Sequence, residues 1–283
     1  MNPLCWIAPA KINLFLHVVG RRTDGYHLLQ TVFRFLDVGD TLHFTPRTDG
    51  QITLATPLPN VPIESDLTVR AARALRESTQ IKTGGVTIAL EKRLPMGGGL
   101  GGGSSDAATT LIALNHLWGC GLSSEELQQI GLTLGADVPI FIHGRVAFAE
   151  GVGEQFTDLA APLPPAWYLV TVPGVSVPTL DIFRAPDLSR NTPMMDPARW
   201  RHGDGHNDLE PVATRLYPEI AHHLAWLRRA SPFSGMSGSG ACCFAEFQTE
   251  AEANAARHAL PTEMKGFIAR GVDVLYFPPF RYP

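Results

Sequence analysis

The residues with the most chemical content lie at 95–106, PMGGGLGGGSSD, where six of the seven residues 97–103 are glycine. Glycine permits positive φ and lets a ligand approach within hydrogen-bond distance of the main chain. The tract runs directly into an apolar-periodic segment headed by Ser104 and Ser105. A helix starting there offers unpaired N–H groups and the positive end of a dipole, which suit phosphate. A flexible linker is the plain alternative, but a linker needs neither the strand before it nor the capped helix after it. Three phosphate loops compete. A Walker loop needs G-x-x-x-x-G-K-[ST], and this tract has no lysine. Gly97, Gly99 and Gly102 satisfy the dinucleotide pattern G-x-G-x-x-G, but a glycine tract meets that pattern by chance. The preceding segment alternates and carries Glu91, Lys92 and Arg93, whereas that fold needs a fully buried parallel strand. The third option is a kinase loop of another fold. A side chain at Gly101 is expected to weaken phosphate binding and to spare the fold.

Three motifs occur in order along the chain: Ala8-Pro9-Ala10-Lys11-Ile12-Asn13-Leu14, then Pro95-x-x-x-Gly99-Leu100-Gly101 with its serines, then Gly235-Met236-Ser237-Gly238-Ser239-Gly240. Together they resemble the GHMP small-molecule kinases. Within that superfamily the chain is similar to the members that phosphorylate a cytidyl alcohol. The residues that carry this closer likeness are Arg22-x-Asp24-Gly25-Tyr26-His27, Gly135-Ala136-Asp137-Val138-Pro139, Pro178-Thr179 and Arg190-Asn191-Thr192-Pro193.

The resemblance implies an ATP-dependent kinase, with Mg²⁺ accompanying ATP and no metal-binding spacing of the protein's own. The ATP loop would comprise Pro95, Met96, Gly97, Gly98, Gly99, Leu100, Gly101, Gly102, Gly103, Ser104 and Ser105. Asp137 would be catalytic, as a base or as the group that aligns the hydroxyl. Its place after Gly135 and two before Pro139 suits a helix cap equally well. Lys11 would be its partner, lowering a pKa and orienting both groups; on its strand it also reads as a solvated side chain. Asn13, two residues on, shares its face. Tyr26, His27 and Phe183 would form the cytidine site, with the aromatic pair sandwiching the pyrimidine, although a lone Phe reads as core. Thr179 would serve the substrate diphosphate. Asp66 and Asp106 stand where some members have asparagine near adenine, and helix capping is the alternative for both.

These groups need elements to position them. Residues 4–19 alternate, with Ala10, Ile12, Leu14 and Leu16 on one face, which predicts a strand with one buried face. Residues 66–78 predict an amphipathic helix capped by Ser65 or Asp66, 85–94 a strand, and 104–118 a helix. Ser123 and Glu126 form a capping box for a helix that Gly135 ends. Strands are expected at 145–149, 167–172 and near 272–277, helices at 209–230 and near 249–260, and loops at 186–206 and 234–240. Pro162, Pro164 and Pro165 mark a boundary between domains at 1–161 and 162–283. Strands and helices mix without strict alternation, which predicts an α+β fold; the resemblance implies the two-domain GHMP kinase fold with its site in the cleft.

Composition narrows the function classes. The chain has 283 residues, is 45% hydrophobic and 18% charged, and carries a net charge of −4. That balance argues against a nucleic-acid binder, which would show a basic excess. Cys5, Cys120, Cys242 and Cys243 form no C-x-x-C pair, so zinc and redox motifs are not suggested. No signal peptide or long apolar span is evident, which predicts a cytoplasmic protein away from the membrane. A monomer or weak homodimer is expected.

Overall fold

The computed structural model describes residues 5–59, 61–79, 81 and 84–276. Leu4 and Phe277, which bound two of the expected strands, lie outside these residues, as do the outer ends of both expected domains.

Two long strands open the chain. Strand β1 (Cys5–Arg21) pairs antiparallel with β2 (His27–Arg47) across the turn at 22–26. Three register shifts interrupt the ladder, after Pro9, Asn13 and Val18. A bulge inserts a residue and re-aims the side chains beyond it. Trp6 and Ala8 thus join one core cluster while Ala10 and Ile12 join another. The expectation of one buried face is therefore corrected: Lys11, Asn13, Phe15 and His17 are buried as well. Alternation registers a buried face only where the opposite face meets water, and here both faces are covered.

The remaining strands of the first half are β3 (Ile52–Leu54), β4 (Gly85–Glu91), β5 (Phe148–Glu150) and β6 (Gln155–Thr157). Helices α1 (Leu67–Thr79), α2 (Gly102–Leu117), α3 (Ser124–Leu134) and α4 (Val138–His143) pack beside them. The Asp66 carboxylate caps α1, accepting from the N–H groups of Thr68 (2.9 Å) and Val69 (3.3 Å). The Ser123–Glu126 capping box is formed on α3. Helix α2 begins two residues before the expected start, at the glycines themselves. Residues 105–114 are all buried, so α2 runs through the core and small residues dominate it.

The second half contributes β7 (Trp167–Val172), α5 (Thr179–Arg184), α6 (Glu210–Leu216), α7 (Pro218–Ala230), β8 (Ser234–Met236), β9 (Cys243–Phe247), α8 (Glu250–His258) and β10 (Lys265–Val272). The expected helix 209–230 is two helices, broken at Tyr217 before Pro218, because proline cannot donate to the preceding turn. The last described strand lies at 265–272 rather than near 272–277. The expected loop 234–240 opens with β8, and the strand at 145–149 begins only at Phe148.

The strands run in the order β3-β4-β2-β10-β7-β9-β8, with β1 and β5 also paired to β2. One apolar cluster draws on the first half with Leu275 added, and another on the second half with Leu16 and Val18 added. A third joins them, combining Ala10, Ile12 and Leu36 with Tyr168, Val170, Cys242 and Phe244. This shared core fixes the spacing of the two halves and so of the cleft between them. Among the described residues no helix is long and apolar enough to cross a membrane.

Candidate active site

The glycine loop is suspended between the two halves by its main chain. Leu100 O accepts from Lys11 N (2.9 Å), and Gly98 O accepts from Cys242 N (3.0 Å). Gly99 O accepts both the Lys11 Nζ proton (3.1 Å) and the Ser237 hydroxyl (2.8 Å). A Cβ at Gly99 would lie 2.0 Å from the Ser237 carbonyl oxygen, so the third motif touches the second where only glycine fits. Gly101, at φ +71°, is the cap of α2. A Cβ there would meet the Phe141 ring at 2.9 Å and Lys11 Cε at 3.1 Å, both buried. The expectation that a larger side chain at 101 spares the fold is therefore corrected.

Two cavities meet over this loop. The first, about 410 Å³, runs from Leu58, Ser65 and Asp66 past Lys92 and Asp106 along Pro95–Ser104. The second, about 300 Å³, is lined by Lys11, Asn13, Asp137 and Phe183, with Gly238 and Ser239 opposite. Gly97, Gly99, Ser104 and Thr179 line both. Ser104 thus faces the cavities. Ser105 lines neither and is buried with its hydroxyl unpaired. The Thr179 and Ser239 hydroxyls pair at 2.9 Å across the mouth.

Lys11 is 2% exposed, and its ammonium is ringed by oxygen and π density. It donates to Asn13 Oδ1 (2.7 Å), lies 3.2 Å from Asp137 Oδ2, and sits 5.6 Å from the Phe33 ring centroid. Asn13 is oriented in turn, donating through Nδ2 to Thr31 Oγ1 (2.9 Å). Asp137 is 37% exposed, on the cavity side of the pair. It precedes α4 but makes no capping bond to it, so the helix-cap reading of this residue finds no support in its geometry.

A second lysine–carboxylate group borders the first cavity. Lys92 Nζ donates to Asp106 Oδ2 (2.7 Å) and to Asp40 Oδ2. Asp40 Oδ1 also accepts from Arg93 N (2.6 Å) and Leu94 N (2.8 Å), tying the loop's entry to β2. Burial, opposed by Lys92 and aided by Asp40, pushes the Asp106 carboxyl up to about 7. Its Oδ1 is buried without a partner. Asp106 does not cap a helix, unlike Asp66.

At the far end of the second cavity, Phe183 stacks on His27, with ring centroids 4.9 Å apart and an interplanar angle of 28°. Tyr26 is 64% exposed in the adjoining turn. Neither Tyr26 nor His27 is part of the cavity lining, so the aromatic groups converge only in part. Four contributors were not legible beforehand. Ser237 and Asn207 brace the third motif, Asn207 donating to the Met236 and Gly238 carbonyls at 2.8 Å each. Asp40 and Arg190 act through contacts distant in sequence. Ser237 and Arg190 carried a signal, as members of the motifs 235–240 and 190–193, but no role; Asn207 and Asp40 carried none.

Comparison with known proteins agrees with this geometry. The GHMP kinases N terminal domain family matches residues 66–145, and the GHMP kinases C terminal family matches 186–266. A 4-diphosphocytidyl-2-C-methyl-D-erythritol kinase of Dechloromonas aromatica is 58% identical over 267 residues, covering 94% of this chain and 96% of that protein. A second, from Thiobacillus denitrificans, is 57% identical over 94% of each chain. A crystal structure of 4-(cytidine 5'-diphospho)-2C-methyl-D-erythritol kinase superposes with a TM-score of 0.78 at 37% identity, covering 95% of this chain and 99% of that one. A homoserine kinase from Cytophaga hutchinsonii shares the fold at a TM-score of 0.70 and 16% identity, over 97% and 96% of the two chains. An identity above half, sustained over almost the full length, makes this chain a GHMP kinase of the 4-diphosphocytidyl-2-C-methyl-D-erythritol kinase family.

Proposed function

We propose that this protein transfers the γ-phosphoryl group of ATP to the 2-hydroxyl of 4-diphosphocytidyl-2-C-methyl-D-erythritol, a step of the non-mevalonate isoprenoid pathway. The observation that carries this reading is the meeting of two cavities at Gly97, Gly99 and Ser104, with the Lys11–Asp137 pair on the acceptor side. ATP would occupy the first cavity, with its phosphates on the main chain of 95–105 and the N-terminus of α2. The hydroxyl would meet Asp137 in the second. Lys11 pairs with Asp137 and directs its carboxylate, while Asn13 and Gly99 O hold Lys11. Phosphoryl transfer of this kind rests on alignment and charge stabilisation. The pair supplies both, as base or as aligning group. Thr179 would take the substrate diphosphate, and Tyr26, His27 and Phe183 the base. The chain would work as two lobes, 1–161 and 162–283, in the cytoplasm, as a monomer or weak homodimer.

Mg²⁺ fits this site as a companion of ATP. Among the described residues no group of three His, Cys, Asp or Glu side chains could hold a metal. Hard oxygen donors are present in the Ser104 hydroxyl and the Asp137 carboxylate, and Mg²⁺ characteristically binds one or two protein oxygens plus phosphates and water. When bound it neutralises phosphate charge.

An ATP-to-ADP assay across a panel of alcohols tests the reading. Turnover is expected with the cytidyl substrate and not with mevalonate, homoserine or galactose, which carry no base to stack. Faster turnover of any of those three would overturn the substrate assignment.

A further inference from the structure

Arg190 lies in the extended segment between α5 and α6, and its guanidinium is fixed on several sides. Nη2 donates to the carbonyls of Phe183 (3.0 Å) and Ala185 (2.7 Å), and Nη1 to that of Leu188 (3.0 Å). Two of these carbonyls close α5, where a cation also complements the helix dipole. Nε points at Nε2 of His27 (3.1 Å).

A guanidinium has donors only. The His27 nitrogen facing it therefore presents a lone pair, and the neutral ring carries its proton on Nδ1. A second proton, on Nε2, would set N–H against N–H. The charges around the ring oppose that proton too. Burial, then Arg190, then Arg21 hold the imidazole below its ordinary value. The other charged groups of its turn, Arg22 and Asp24, pair with each other at 2.7 Å, and Asp187 beyond Arg190 is held by Arg215. Among the described residues no carboxylate lies within ion-pair distance of His27. The same ring is stacked on Phe183, one turn after Thr179.

We propose that Arg190 is a positioning residue for recognition of the base: it fixes His27 as a neutral Nδ1–H donor and joins it to the helix that carries Phe183 and Thr179. The ring then presents one unchanging pattern, a single donor complementary to the O2 and N3 acceptors of cytosine. The ligand in this inference rests on the cytidyl reading above; the pairing rests on the Arg190–His27 geometry alone.

The test has two arms. In the first, the ring nitrogens of His27 are followed by NMR on ¹⁵N-histidine-labelled protein without substrate, from pH 5 to 8, with His27→Gln giving the assignment. The parent is expected to show the Nδ1–H tautomer and to titrate below about 6.5; Arg190→Met should titrate nearer that value. In the second arm, KM for the cytidyl substrate and for ATP is measured at pH 7.5 and 5.5. Arg190→Met should raise the cytidyl KM about tenfold on going to pH 5.5, because about a tenth of an ordinary histidine is neutral there. The ATP KM and kcat should not follow it, and Arg190→Met/His27→Gln should lose the pH-dependent part. If Arg190→Met fails to fold, Arg190→Lys, which keeps the charge but not the guanidinium fork, should titrate between the parent and about 6.5. Identical His27 titration in parent and variant, or a KM raised equally at both pH values, would overturn the proposal. Should the parent not use the cytidyl substrate, the substrate reading fails and the ring titration alone decides the pairing.

Discussion

Lys11 and Lys92 invite comparison. Each is a poorly exposed lysine at one of the two cavities, and each touches carboxylate. Their partners differ. Lys11 meets one carboxylate, which is 37% exposed, and otherwise neutral groups, Asn13 and the Gly99 carbonyl. Lys92 is gripped by two carboxylates that are almost wholly buried. In low dielectric an ion pair with no slack is a brace, and removing one member leaves an uncompensated charge. A pair with one open member can still exchange partners, here water for a substrate hydroxyl. The geometry thus separates a lysine with an open partner, the one proposed to serve chemistry, from one that holds the loop's entry against β2.

The largest expected effect lies on the open pair. Asp137→Asn should lower kcat by roughly 10²–10⁴-fold, the usual worth of a positioned acid or base, with both KM values within a few-fold. Lys11→Met should also lower kcat, and the double variant should lose far less than the product of the two, because they act as a unit. A kcat within threefold of the parent for Asp137→Asn would erase the distinction between the two lysines.

Breaking the brace should instead show in stability. Lys92→Met leaves Asp40 and Asp106 facing each other without a cation, which should cost about 3–5 kcal/mol in denaturant unfolding. A folded variant of parental stability, deficient only in turnover, would make Lys92 the chemical lysine.

A smaller effect is expected at the end proposed to recognise the base. Tyr26→Ala and Phe183→Ala should each weaken the cytidyl KM by roughly 1–3 kcal/mol, as loss of a stacked base does, leaving the ATP KM and kcat nearly unchanged. Loss of melting temperature with normal KM would make Phe183 a packing residue and remove both rings from base recognition. Phe183 is already committed to His27, so its loss should disturb more than that of exposed Tyr26.

An effect read only as a dependence on pH sharpens the account of the brace. Asp106 has its carboxyl raised to about 7 from an ordinary 3.8. A carboxyl whose folded pKa is raised contributes its full stability below the ordinary value and loses it as pH climbs through the folded one. Asp106→Asn has no such loss, so its melting temperature should gain on the parent's between about pH 4 and pH 7. A difference that stays constant over this window would show that Asp106 ionises without cost.

Local sequence determined what local physics governs. The glycine tract, the Ser123–Glu126 capping box, strand 167–172 and the Asp66 cap follow from rules that act within a few residues, and the ordered motifs that name the family are contiguous strings. The tertiary structure decided what depends on approach between distant segments. The buried second face of β1, the clash that Gly101 avoids, the ring of oxygens around Lys11 and the grip of Asp40 on Lys92 each join residues dozens of positions apart. A lysine on an alternating strand reads the same whether its other face meets water or a cleft, because spacing encodes periodicity and not what packs against it. Only the bulges of β1 and the shared core turn Lys11 toward Asp137.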